Sequence, residues 1–173
     1  MNIDIEIAPE QKYAQRTAQD TFIGMNANSL FKIDPRISGN KMVQEQKTVY
    51  SSKVGLSSVA TTGQGHIAVG SEKGEIRLFD RLGLSRAKTQ LAGLGEPILG
   101  MDTTENGKYV LATCASYLLL IDTEAENTSA FKKSIKPQPK RLQLKPEHVA
   151  WMGNNIKFTP AYFNTGTEWK KPL

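Results

Sequence analysis

The feature that most constrains this chain is an internal repeat. Residues 56–80 align with residues 98–122 without a gap, at an offset of 42 residues. A third copy lies upstream, where residues 22–34 match residues 68–80 at an offset of 46 residues. A fixed period of this length indicates a fold assembled from similar units, each of which buries its apolar surface against its neighbours.

Each copy reads as a set of short strands separated by turn residues. In the middle copy, runs of apolar and small residues predict strands at 57–62, 67–71 and 75–79, with a more variable fourth strand near 88–91. The upstream copy carries a longer loop at about 14–20. No apolar period of 3.6 residues persists across these windows, so we expect almost no helix.

Four strands per unit at this spacing are typical of a β-propeller. We therefore predict an all-β, WD-like β-propeller that is partial, with three clear blades and ragged ends. A β-sandwich remains an alternative, although it would not require an ungapped repeat. Each copy ends its third strand with an apolar residue followed by aspartate, in the pairs Ile33-Asp34, Phe79-Asp80 and Ile121-Asp122.

The three recurring pairs are expected to be structural. The apolar member would pack between blades, and the aspartate would lie at the end of the third strand. Catalytic carboxylates are not expected at the equivalent position of every repeat. This interpretation assigns structural roles to Ile33, Asp34, Phe79, Asp80, Ile121 and Asp122.

Charge divides the chain into three parts. The net charge is +5, yet residues 1–126 contain 13 basic and 15 acidic residues, whereas residues 127–173 contain nine and two. Three prolines accompany the densest basic stretch, which favours an extended linker or a solvated loop. We predict propeller blades at 1–126, a basic, proline-containing linker or loop at 127–146, and the start of a further, incomplete blade at 147–173.

The basic stretch 131–145 is also a candidate anion-binding segment. Lysine and arginine can neutralise the phosphates of a nucleic acid or of an anionic membrane surface without reading a sequence. Its single aromatic residue, Phe131, provides no platform on which bases could stack. The candidate anion-binding residues are Lys132, Lys133, Lys136, Lys140, Arg141 and Lys145.

Several kinds of chemistry have little support. One cysteine (Cys114) and two histidines argue against a disulfide and a structural zinc site. The residues Gly63-Gln64-Gly65 form a turn signal and lack the third glycine of a dinucleotide loop. A relay of His66 with Ser71 and Asp80 would need a geometry that sequence cannot show. We therefore expect no catalytic residue, no cofactor and no metal.

Targeting signals are also missing from the sequence pattern. The longest apolar run is far shorter than the about 20 residues of a membrane span, and the N-terminus carries acids where a signal peptide carries bases. We expect a cytoplasmic protein, with the nucleus as the alternative.

Specific segments along nearly the whole chain resemble one family. They are Phe22-Ile23-Gly24, Asn28 to Arg36, Val59-Ala60-Thr61-Thr62, Gly74 to Arg81, Leu94 to Ile98, Leu111 to Cys114, Tyr117 to Asp122, Phe158 to Ala161 and Phe163 to Gly166. Together they resemble the C-terminal WD-like domain of the vacuolar import and degradation protein 27 family.

The resemblance implies an intracellular, non-catalytic domain. The family is named for the vacuolar import and degradation of cytosolic enzymes after a nutrient shift, and its members are usually much longer than this chain. The expected function is thus a protein–protein interaction scaffold in that process or in related protein turnover. The expected partners are other proteins, with self-association through open blade edges. The competing hypothesis is a nucleic-acid or anionic-membrane-surface binder acting through 131–145.

Overall fold

The fold consists of three four-stranded antiparallel sheets, each formed by one repeat. A computed structural model describes residues 5–12 and 21–164 of the chain. In this structure the first blade contains β1 (Glu6–Pro9), β2 (Phe22–Asn26), β3 (Ser29–Ile33) and β4 (Met42–Val49). The second contains β5 (Leu56–Thr61), β6 (Ile67–Ser71), β7 (Ile76–Phe79) and β8 (Thr89–Leu91).

The third blade is completed by a strand from the basic segment. It begins with β9 (Gly100–Thr103), β10 (Tyr109–Thr113) and β11 (Leu118–Asp122). A small hairpin of β12 (Glu124–Ala125) and β13 (Thr128–Ser129) follows. The outer strand is β14 (Lys140–Leu142), which pairs antiparallel with β11. One short helix, α1 (Pro146–Met152), comes after it.

Apolar side chains fill the two spaces between consecutive blades. One cluster joins the first blade to the second and includes Ile23, Met25, Val59, Ile67 and Phe79. The other cluster joins the second blade to the third and includes Leu78, Leu91, Val110, Ile121 and Phe131. The core therefore lies between the sheets, as expected when each repeat buries its faces against its neighbours. These observations confirm the all-β, partial propeller architecture.

The structure corrects the ungapped alignment of the two clearest repeats. Thr61 pairs with Ile67 in the second blade, whereas Thr103 pairs with Val110 in the third. Relative to the ungapped alignment, β10 of the third blade is thus displaced by one residue. The turn before β10 is one residue longer than its counterpart in the second blade, and the turn after β10 is one residue shorter. A one-residue slip moves each side chain to the other face of a strand. Val110, rather than Tyr109, is accordingly the fully buried equivalent of Ile67.

The two C-terminal segments predicted from the charge distribution contain regular secondary structure. Within the predicted linker 127–146, residues Lys140–Leu142 form the outer strand of the third blade. An outer strand at this place supplies hydrogen bonds that the edge of β11 would otherwise lack. The described part of 147–173 contains most of helix α1 and then irregular chain up to residue 164. The longer loop predicted near 14–20 lies outside the described residues.

Residues 158–163 lie against the third blade. The Phe158 amide donates to the Ala115 carbonyl oxygen at 2.8 Å, and the Ala161 amide donates to the Thr113 hydroxyl at 2.9 Å. At the equivalent junction one blade earlier, the chain leading into β9 is held by a hydrogen bond of 3.0 Å from the Ile98 amide to the Ser71 carbonyl oxygen. Residues 158–163 thus contact the third blade in the way that the chain before β9 contacts the second blade. This similarity is consistent with a further blade beginning within 147–173, which stays a prediction.

Candidate interaction surface

The three recurring aspartates lie at the ends of the third strands, and two of them make local hydrogen bonds. Asp34 Oδ1 accepts the Arg36 amide at 3.0 Å, and Asp122 Oδ1 accepts the Glu124 amide at 3.1 Å. These bonds, each from the residue two positions ahead, are typical of aspartates that stabilise turns.

The apolar partners of these aspartates differ in their surroundings. Phe79 is 1% exposed and belongs to the cluster between the first and second blades. Ile121 is fully buried between the second and third blades. Ile33 is only half-buried, because it lies on the outward face of the first blade, where no further blade is present among the described residues.

His66 has structural partners on both sides of its ring. Its Nδ1 lies 2.9 Å from the Asp80 carbonyl oxygen, and its Nε2 lies 3.1 Å from Gln64 Oε1. The ring also stacks on Phe131, with 5.2 Å between the ring centroids. Ser71 stands at the opposite end of β6, roughly 15 Å away at the rise of a strand. The structure therefore brings His66 and Asp80 together, with 3.4 Å between His66 Nδ1 and Asp80 Oδ1, but it leaves Ser71 too far away to complete a catalytic relay.

The basic segment is anchored at its beginning. Phe131 is fully buried between the second and third blades. The Thr89 hydroxyl donates to the Ala130 carbonyl oxygen at 2.7 Å, and the Lys133 carbonyl oxygen also lies within 3.1 Å of it. These contacts tie the segment to the outer strand of the second blade, so its first residues follow a fixed path over the sheets.

All six candidate anion-binding side chains are exposed in the structure. They do not form one compact cluster along the chain: Lys140 and Arg141 lie on β14, whereas Lys132 borders a separate polar pocket beside His66 and Glu124. The guanidinium of Arg141 is placed over the Tyr117 ring, 4.2 Å from its centroid. This contact fixes the position of one cation at the end of the third blade.

Cys114 is fully buried beside Tyr117. Burial raises the pKa of its thiol, since the thiolate would lose its hydration. A thiol with a raised pKa is a poor nucleophile near neutral pH. Its environment is that of a core side chain.

A groove that sequence reasoning did not find lies next to this cysteine turn. After β14, residues 143–158 leave the blade, form α1 and return through the hydrogen bond of Phe158 to Ala115. We call the concave space inside this segment the α1 groove. The only sequence signals for the helix are Pro146 at its first position and Glu147 in its first turn.

One carboxylate lies near the groove and is held in place. Glu96 accepts hydrogen bonds from the Ser116 amide, at 3.0 Å, and from the Ser116 hydroxyl. The hydroxyl bond is the main cause that lowers the pKa of Glu96, with Arg141 adding a smaller electrostatic effect in the same direction. Glu96 is thus held beside Ser116, which lines the groove.

Residues 5–12 and 21–164 lack two further kinds of candidate feature. This part of the chain contains no group of three or more histidine, cysteine, aspartate or glutamate side chains arranged to hold a metal ion. It also contains no helix with the length and apolar character required to span a membrane.

Comparison with known proteins decides the family. Residues 2–172 match the VID27 C-terminal WD40-like domain. The chain belongs to this family. It is 50% identical over 180 aligned residues to Vacuolar import and degradation protein 27 of Schizosaccharomyces pombe, covering 96% of this chain and 22% of that protein. The protein of the same name from Saccharomyces cerevisiae is 40% identical, covering 94% of this chain and 22% of the relative.

Solved structures agree with the architecture of this VID27-family chain. The β-propeller domain of Cps50 (Swd1) from Myceliophteria thermophila superposes with a TM-score of 0.53 at 15% identity. The match covers 72% of this chain and 41% of that one. The likeness shows the propeller fold. The chain spans about a fifth of the length of the relatives it matches.

Proposed function

We propose that this VID27-family chain is a non-catalytic protein-interaction scaffold in vacuolar import and degradation or in related protein turnover. The observation that carries the proposal is membership of the family over residues 2–172, together with the name shared by both relatives. The WD40-like propeller fold adds support, because proteins of this fold offer surfaces to other proteins.

The environments of the reactive side chains support a non-catalytic role. His66 is packed against Phe131, and Cys114 is a buried thiol with a raised pKa. Catalysis requires an accessible nucleophile or a proton-transferring group within reach of a substrate. The Cys114 thiol is instead part of the packing between the second and third blades, and both ring nitrogens of His66 are within hydrogen-bonding distance of the Asp80 carbonyl oxygen and Gln64 Oε1.

We further propose that the protein lies in the cytoplasm. Fluorescence microscopy of the tagged protein tests this location, and a nuclear signal would contradict it.

The proposal can be tested by exchange of this region in the Schizosaccharomyces pombe relative. The matching region would be replaced by this chain, or by this chain with Phe79→Ala, which weakens blade packing. Cross-linking with mass spectrometry would identify bound proteins, and delivery of a cytosolic enzyme to the vacuole would be followed after a nutrient shift. We expect the intact chain to retain partners and delivery and the variant to lose both. Normal partners and delivery after deletion of the region would contradict the proposal.

Salt dependence separates this function from its electrostatic rival. Binding to nucleic acid or to an anionic surface through phosphate contacts weakens steeply between about 50 mM and 200 mM salt, because counterions are released on association. Capture of partners that contact apolar surface should change much less over the same range. Loss of all partners at the higher salt would favour the electrostatic hypothesis.

A further inference from the structure

The α1 groove has the size and lining of a binding site for a short segment. Its volume is about 480 Å³, within the range of about 300–1,000 Å³ that is usual for ligand sites. One wall is α1, which turns Pro146, Val149 and Ala150 toward the groove, as expected for positions i, i+3 and i+4 of a helix. The other apolar lining residues are Ala115, Leu144, Ile156 and Phe158.

The border of the groove is positively charged. Lys145 and Lys157 each lie between two of its lining residues along the chain. Arg141 lines the groove, and its contact with the Tyr117 ring holds the guanidinium in place. Two acids moderate this charge: Glu96 lies within electrostatic range of Arg141, and Glu147 is 3.9 Å from Lys145. The remaining balance is cationic and favours an anionic occupant.

We propose that the α1 groove binds a short peptide segment of a partner protein, in which acidic residues flank a large apolar side chain. The apolar side chain would occupy the space against Val149 and Phe158, removing their exposed carbon from water. An adjacent carboxylate would accept hydrogen bonds from Arg141, whose planar donors suit that group. This proposal rests on the proposed scaffold function and names the class of its partner.

The shape of this region favours a peptide over a membrane. A bilayer would contact a convex apolar surface, whereas the groove is concave and its apolar residues point inward. Trp151 is 87% exposed, but it lies about 100° further around α1 than Ala150 and does not line the groove. Trp151 is therefore the residue that membrane contact would use, and Ala150 the residue that peptide contact would use.

The test begins with selection of peptides on the 173-residue chain. Random twelve-residue peptides would be selected by display, and binding of the enriched peptides would be measured by fluorescence anisotropy. Arg141→Glu reverses the groove charge, and Arg86→Glu is its matched control on an exposed loop of the second blade. Ala150→Trp fills the groove, and Trp151→Ala is its control on the same helix.

We expect the enriched peptides to combine aspartate or glutamate with leucine, phenylalanine or methionine. Arg141→Glu and Ala150→Trp should each weaken their binding roughly tenfold or more, whereas both controls should stay within about twofold. Equal losses for Arg141→Glu and Arg86→Glu would overturn the proposal, since general charge would then explain binding. Flotation with phosphatidylserine vesicles that depends on Trp151 and not on Ala150 would assign the region to a membrane instead.

Failure of the groove and failure of the scaffold function can be told apart. Should partner proteins cross-link to the chain and remain bound in Ala150→Trp, the scaffold function stands and the groove proposal is wrong. Should the region exchange give no partner and no effect on delivery, the scaffold function itself fails.

Discussion

At the scale of single residues, the Asp34 carboxylate has a different electrostatic environment from the aspartates at the equivalent positions of the other two repeats. Arg36 Nε and Nη2 donate to the two oxygens of the Asp34 carboxylate, each at 2.9 Å. These bonds are the main cause that lowers the pKa of Asp34 to about 2. Asp80 and Asp122 have no such arginine partner two residues on, so the repeat conserves the residue type while its environment varies.

We predict that the pKa of Asp34 depends on Arg36. Because the folded-state pKa lies below that of the unfolded chain, the stabilising effect is present above the ordinary aspartate pKa and is lost as pH falls through about 2. Arg36→Gln should raise the pKa toward about 3.9. Carboxyl-carbon NMR titration measures this value directly, with Arg86→Gln as the control. An unchanged titration in Arg36→Gln would rule out the arginine as the cause.

Phe79 and Ile121 are the residues whose truncation should cost most. We predict that Phe79→Ala and Ile121→Ala each lower the free energy of unfolding by roughly 2–5 kcal/mol, because each leaves a cavity between blades. Urea denaturation followed by fluorescence provides the measurement. Ile37→Ala, at a residue 39% exposed, should stay within about 0.5 kcal/mol of wild type, and a similarly small change at both buried sites would refute their assigned packing.

At the scale of elements, close approach between blades depends on glycine. A Cβ added to Gly70 on β6 would lie 2.4 Å from Ile98 Cγ2, and such a distance is shorter than atoms tolerate. The absence of a side chain lets the chain leading into the third blade cross β6 closely. The same contact includes the backbone hydrogen bond from Ile98 to Ser71.

We predict that Gly70→Ala destabilises the fold by about 1–3 kcal/mol through overpacking. Ile98→Ala should destabilise it separately by opening a cavity. The double variant should be less destabilised than the sum, by about 1 kcal/mol, because the smaller side chain relieves the clash. Thermal denaturation of the wild type, the two single variants and the double variant measures this coupling. Additive effects of the two substitutions would show that the two positions are not in contact.

At the scale of the whole molecule, the outward face of the first blade is apolar. Pro9 pairs with Phe22, which pairs in turn with Ile33, so these side chains share one face. Phe22 is 38% exposed, and Ile7 on the same face is 58% exposed. Apolar faces at the flank of a sheet favour association, because burial removes them from water.

We predict that the isolated chain self-associates through this flank. Light scattering at low micromolar concentration should give a mass above the 19.1 kDa of a monomer. Phe22→Lys should reduce the measured mass, whereas Leu94→Lys, at a residue 53% exposed in the loop between β8 and β9, should not. A monodisperse monomer with a cooperative thermal transition would contradict the prediction.

The repeat made the architecture predictable from sequence. Turn residues and apolar runs located β6 and the fourth strand β8, because both features depend on local conformational preference and on the alternation of side chains. The equivalence of Phe79 and Ile121 followed from their shared position before aspartate, and both are buried in the structure. Local patterns were sufficient here because each repeat meets its neighbours in the same way.

Three features depend on contacts between residues far apart in the sequence, and only the tertiary structure revealed them. The one-residue displacement of β10 depends on two turns whose lengths compensate, and the aligned residues gave no sign of it. The assignment of Lys140–Leu142 to the third blade depends on pairing with β11 across the intervening hairpin and loop, while exposed cations suggested a solvated linker. The α1 groove arises because residues 143–158 return to Ala115, and that closure is a contact between distant residues that no local propensity encodes.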